Sequence, residues 1–186
     1  MISKLTTCLL LTIAAIVAHA APEVEINESV FVYDSNDERA AFFYPTESDT
    51  DKWTEKLTFV YYPDQKGPEA VKAIYEEIMG KYQQYGRLLK AFTVRNEAQE
   101  IDGYLLVAII QIGDVTEALM TRVTENEEGN PITIVYQHRF YSRAQAMKVV
   151  EWFQENGERM EVELLGVSPI PARSEVILEV TETTAE

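Results

Sequence analysis

Apolar positions along this chain follow two rhythms, and the switches between them mark its elements: period two predicts strands, period 3.6 predicts helices. "SVFVYD" and "RAAFFYPT" flank the turn-rich "SNDE" and predict a hairpin. A charged loop, "ESDTDKW", leads into a third strand, "EKLTFVYYP", which Pro63 ends because it has no N–H for the ladder. Gly67-Pro68 then opens a helix. Val71, Ile74, Tyr75, Ile78, Met79 and Tyr82 recur on one face of it, and it closes near Gly86 or runs on through "RLLKAF". "AFTVRNEAQEIDGYLLVAIIQIGD" reads as two strands around a polar turn, the second apolar enough to be covered on both faces. "EALMTRVTEN" and "PITIVYQHRFY", joined by "EEGN", form the clearest hairpin, although "DVTEALM" alone could start a helix.

A second helix starts at Ser142, where the Ser hydroxyl and the Gln145 side chain can each satisfy the other's backbone N–H. Ala146, Val149, Val150 and Phe153 line its buried face and Gly157 closes it. "EVELLGV" reads as a final strand, "SPIPARSE" as a proline-interrupted linker, "VILEV" as an added edge strand and "TETTAE" as a disordered end.

This order predicts a single α+β domain over residues 30–168, an antiparallel, hairpin-rich sheet of about six to eight strands with two main helices packed on it. Residues 21–29 form a polar lead and residues 169–186 a Pro-containing, partly disordered tail. "LTFVYYP" and "ITIVYQHRFYS" match at alternate positions, and each precedes a helix; an internal strand-helix duplication around a pseudo-twofold axis would explain both. The order of elements is similar to the helix-covered antiparallel sheets of the Mog1/PsbP-like type. No residue motif carries that resemblance, so it implies a fold and nothing functional.

The first 20 residues break both rhythms. "MISKLTTCLLLTIAAIVAHA" has one early cation, a short apolar stretch and Ala18-His19-Ala20 at its end, the plan of a cleaved secretory signal peptide. The stretch is shorter than the ~20 residues that span a bilayer. Removal would take the only Cys and one of two His, leaving an exported chain, periplasmic or secreted, that has no disulfide and folds on its core alone. No later stretch is long enough to insert in a membrane.

Charge then narrows the partners. With 31 acidic against 16 basic residues and a net charge of −15, the chain lacks the Lys and Arg clusters that nucleic acid or an anionic membrane surface demands. The familiar nucleophile motifs, Cys and His clusters for zinc, and Gly-rich phosphate loops are all missing, so no cofactor, metal or catalytic residue is assigned. "DSNDE" and "ESDTD" alternate oxygen ligands but lack the Gly and Glu positions of a calcium loop.

The remaining chemistry gathers in "YQHRFYS" and at one tryptophan. Tyr136, His138 and Phe140 alternate onto one strand face while Gln137, Arg139 and Tyr141 take the other. Tyr136, His138 and Arg139 could hold a carboxylate or a sugar, and Trp53 either caps the core or lines a recognition site. The sequence therefore points to a soluble, non-enzymatic binding or interaction module whose partner is a protein or a small ligand. A carboxylate-dependent hydrolase and a structural envelope component are the alternatives.

Overall fold

The computed structural model describes residues 21–177, so the signal segment and the last residues of the expected edge strand and tail lie outside the described residues. Eight strands run β1 (Glu23–Ile26), β2 (Ser29–Asn36), β3 (Ala40–Pro45), β4 (Glu55–Tyr61), β5 (Gly86–Arg95), β6 (Ile101–Ile112), β7 (Val115–Glu125) and β8 (Pro131–Phe140). The helices are α1 (Pro68–Tyr85), α2 (Arg143–Ala146), α3 (Val149–Gly166) and α4 (Arg173–Val176). All neighbouring strands pair antiparallel in one sheet of order β1-β2-β3-β4-β8-β7-β6-β5, so the α+β reading holds.

Pleat alternation divides the sheet into two faces. Leu57, Phe59, Tyr61, Met120, Ile132, Ile134 and Tyr136 point to one side, where Met160 and Leu164 of α3 complete the main core. On the opposite side Tyr104 and Val123 meet Val71 and Ile74 of α1, with Tyr62, Tyr75 and Ile78 around them. The predicted helix face is therefore the one α1 buries, and Gly67, at φ 81°, supplies the left-handed entry that a residue with a side chain resists. The molecule is layered α1, sheet, α3. Because α1 packs mainly on β5 to β8, no helix among the described residues lies across the same face of β2 to β4.

Several sequence expectations are corrected. "EVELLGV" is not a strand: α3 runs straight through Gly157 to Gly166. Val149, Phe153, Gly157, Met160 and Leu164 keep helical spacing toward the sheet, and Val162, the apolar residue that suggested alternation, is 70% exposed. Arg122, reaching from β7, donates to the carbonyls of Leu165 (2.8 Å) and Val167 (3.2 Å), which adds to the Val167 N–H to Leu164 carbonyl bond that closes the helix end. Val150, expected inside, is exposed because the helix begins at Val149, after the separate turn α2.

The Ser142 cap forms on one side only. Its hydroxyl accepts from Gln145 N at 3.3 Å, whereas Gln145 Oε1 accepts from Tyr141 N, one residue earlier than expected. The polar lead contributes β1, with Val24 and Ile26 buried. "RLLKAF" is strand from Gly86 onward, and the tail packs as well: Val167, Val176 and Ile177 are buried, and Tyr61 donates to the Pro171 carbonyl at 2.8 Å.

The proposed duplication gains no support. β4 and β8 do lie side by side, with Phe59 opposite Ile134 as the offset requires. However, a twofold relating adjacent antiparallel strands stands perpendicular to the sheet and would put both following helices on one face. α1 and α3 occupy opposite faces.

Candidate functional site

The four residues singled out in sequence do not converge. Tyr136 and His138 project to the α3 face of β8, and Arg139 projects to the α1 face with Trp53 against it.

On the α3 face, His138 lies flat against Trp152, ring centroids 4.7 Å apart at 21°, with its edge toward Phe140. Tyr136 donates to Glu55 Oε1 at 2.6 Å, and His138 Nδ1 faces the same oxygen at 3.5 Å, a contact too long to be a strong hydrogen bond. His138 and Tyr136 together hold Glu55 below the usual carboxylate range against the opposing effect of its burial. Burial, then the Glu55 charge, push the Tyr136 hydroxyl up, so it remains a donor. The group is packed between sheet and helix, and its chemistry is to fasten the end of β4 to β8 beneath α3.

On the α1 face, Arg139 stacks on Trp53 with its guanidinium 3.6 Å from the ring centroid and donates through Nε (2.8 Å) and Nη2 (2.5 Å) to Glu117 Oε1. Glu117 Oε2 accepts from Gln137 at 3.1 Å, and Gln137 Oε1 accepts from Thr58 at 3.1 Å. Tyr141 donates to the Trp53 carbonyl at 2.6 Å, which pins the loop before β4. Trp53 is thus buried as a cap over the sheet, one of the two roles its position suggested.

Lys56 completes this side. Its ammonium sits 4.5 Å from the Trp53 centroid and 5.4 Å from that of Phe42, and it has no ion-pair partner among the described residues. Burial pulls its pKa down, the Glu117 charge opposes this, and the Arg139 charge adds to it. Lys56 and Arg139 stand here against Glu117, with the Asp34 charge acting on the neighbouring Tyr44. Beside them lie Phe42 and Tyr44, half-buried, on strands that no helix among the described residues covers on this side.

Lys56, Glu55, Glu117 and Trp152 were not singled out from the sequence. Glu117 had a signal, as an acid between apolar neighbours in "TEALM". Trp152 had none, because its ring matters only through α3 docking. Among the described residues no group of three His, Cys, Asp or Glu is placed to hold a metal, and no helix is long and apolar enough to cross a membrane.

No protein-family model matches the chain, and no curated protein matches its sequence. Three solved structures match the chain at low identity. The Saccharomyces cerevisiae Ran-binding protein Mog1p has 10% identity and a TM-score of 0.45, over 77% of this chain and 93% of that one. A Pseudomonas aeruginosa protein of unknown function, PA94, has 12% and 0.43, over 83% and 100%. Human STARD10 has 8% and 0.28, over 81% and 88%.

Proposed function

We propose that the protein is an exported, non-enzymatic binding module that receives a carboxylate-bearing partner on the half of the sheet that α1 leaves open. One observation carries this reading: Lys56, partly desolvated between Trp53 and Phe42, has no ion-pair partner among the described residues although the chain holds 31 acidic residues. Glu117 attracts this cation only from beyond ion-pair distance, and a ligand carboxylate in direct contact between the aromatic walls would offset the rest of its desolvation cost. Phe42 and Tyr44 supply the half-wet aromatic surface common at recognition sites.

A hydrolase built on paired carboxylates has less support. Glu55 and Glu117, the two acids held by side chains of β8, face opposite sides of the sheet and could not flank one scissile bond.

The test is an NMR titration of the chain with benzoate, watching the Trp53 indole N–H. Saturable shifts at Trp53, Phe42 and Lys56 that vanish in Lys56→Gln are expected; no shift, or the same shift in the variant, would sink the binding site. Export is checked by intact mass after expression in a two-membrane bacterium. A mature chain beginning at Ala21 is expected, and an uncut cytoplasmic chain would remove the export half of the proposal.

A further inference from the structure

β1 to β4 present a bare sheet face. Alternation sets Val24, Ile26, Phe31 and Phe43 into the core beneath α3, so Glu23, Val30, Val32, Phe42 and Tyr44 point the other way, where no helix among the described residues lies. Val30 is 39% exposed, and Val32, Phe42 and Tyr44 are half-buried. Contiguous apolar surface of this kind marks an interaction site.

Charge on this face is divided. Its acids, Glu23, Glu25 and Asp34, stand on β1 and β2, and its cations, Lys56 and Arg139, stand on β4 and β8, Arg139 being already bound to Glu117. β3 and β4 carry no acid on this side, since Glu55 turns to the α3 face. Register fixes the spacing. Glu23 pairs with Val32, Val32 with Tyr44, and Tyr44, continuing from the pair of Phe43 with Leu57, stands opposite Lys56. One row across four strands therefore runs from an acid through two apolar side chains to a cation.

A twofold axis lying against the face, parallel to the strands and between β2 and β3, turns this row onto itself. Glu23 of each copy then meets Lys56 of the other, and Val32 meets Tyr44, each contact made twice. The acids of β1 and β2 face the acid-free side of β3 and β4. Shape agrees with charge. Packed sheets lie ~10 Å apart, about the diameter of a helix. α1 stands beyond β4, so the bare strands of one copy fit beside the α1 of the other, which comes alongside the free edge of β1. One contact thus closes both the face and an edge that pairs with β2 alone.

We infer that the carboxylate-bearing partner is a second copy of this chain, giving a twofold dimer joined through the faces of β1 to β4 with Glu23 of each copy on Lys56 of the other. The inference rests on the reading of Lys56 as a carboxylate receptor and supplies the carboxylate.

The net charge of −15 opposes association at long range, so the test is made at 0.15 M salt, where the screening length is about 8 Å. Sedimentation velocity of the full chain over a range of concentrations should show a monomer–dimer equilibrium. Glu23→Lys and Lys56→Glu should each weaken it about tenfold or more, and an equimolar mixture of the two variants should restore the dimer, because that pair sets opposite charges together at both contacts. Glu23 is exposed, and circular dichroism checks that both variants fold. Should Lys56→Glu unfold, Glu23→Gln and Lys56→Gln replace the pair, and the double variant should cost no more than either single one; additive losses would overturn the inference. So would a monomer at every concentration, a dimer indifferent to these substitutions, or a mixture that stays monomeric. Benzoate separates the two proposals. A monomeric chain whose Trp53 N–H still shifts keeps the carboxylate site, overturns the dimer and points to a different carboxylate-bearing partner.

Discussion

At the scale of single residues, Glu117 and Glu55 make different predictions. Glu117 is 1% exposed and neutralises Arg139, which is itself clamped on Trp53. Glu117→Ala removes the partner of that part-buried guanidinium and frees Gln137, and should lower stability by about 2 kcal/mol in urea unfolding, the scale of lost charge-assisted hydrogen bonds. Glu55 acts through pH. Its folded pKa lies below the ordinary 4.5, so its contribution is complete above that value and fades as pH falls through the folded pKa. The urea midpoint of the native chain should drop between pH 6 and pH 3 by more than that of Glu55→Gln, whose amide oxygen still accepts the Tyr136 hydroxyl. Equal drops would show that other carboxylates dominate acid unfolding.

At the scale of elements, glycines report how a segment is built. The sequence pattern placed Gly157 at the end of a helix, where a left-handed conformation would penalise alanine; the structure places it inside α3. A Cβ there would meet only Phe153 Cδ1, at 3.8 Å, an ordinary contact. Gly157→Ala should therefore raise stability by up to about 1 kcal/mol, through helix propensity, whereas a helix-ending glycine would give the opposite sign. Gly86→Ala should destabilise, because its Cβ would meet the Ile109 carbonyl oxygen at 2.3 Å. Thermal melts of the two variants should shift in opposite directions.

The same comparison shows what the sequence made legible. Strands with strict alternation, and the face of α1, could be read because each pattern is local. Alternation in "YQHRF" had already separated His138 from Arg139. What could not be read was which helix covers which face, or that Trp53 would meet Arg139 from 86 residues away, since both depend on strand register. α3 was misread for a related reason. "EVELLGV" satisfies both rhythms over seven residues, and only Arg122 at its end and Gly157 against the sheet decide between them.

At the scale of the whole molecule, the sheet is closed by segments remote in sequence. The stretch after α3 read as linker and tail, yet Val176 is fully buried, Ile177 is 5% exposed, and Pro171 O takes the hydroxyl of Tyr61 from the centre of the sheet. Removing these residues would uncover Tyr61 and the aromatic interior around Phe31 and Phe43. Deletion would bare the apolar surface that Val176 and Ile177 cover and leave the buried Tyr61 hydroxyl without its acceptor, a penalty that falls on the rest of the core. A chain stopped after Ser168 should therefore melt below the full chain, by differential scanning calorimetry. An unchanged melt would mean that the packed tail is ornamental and that α3 alone closes this side of the core.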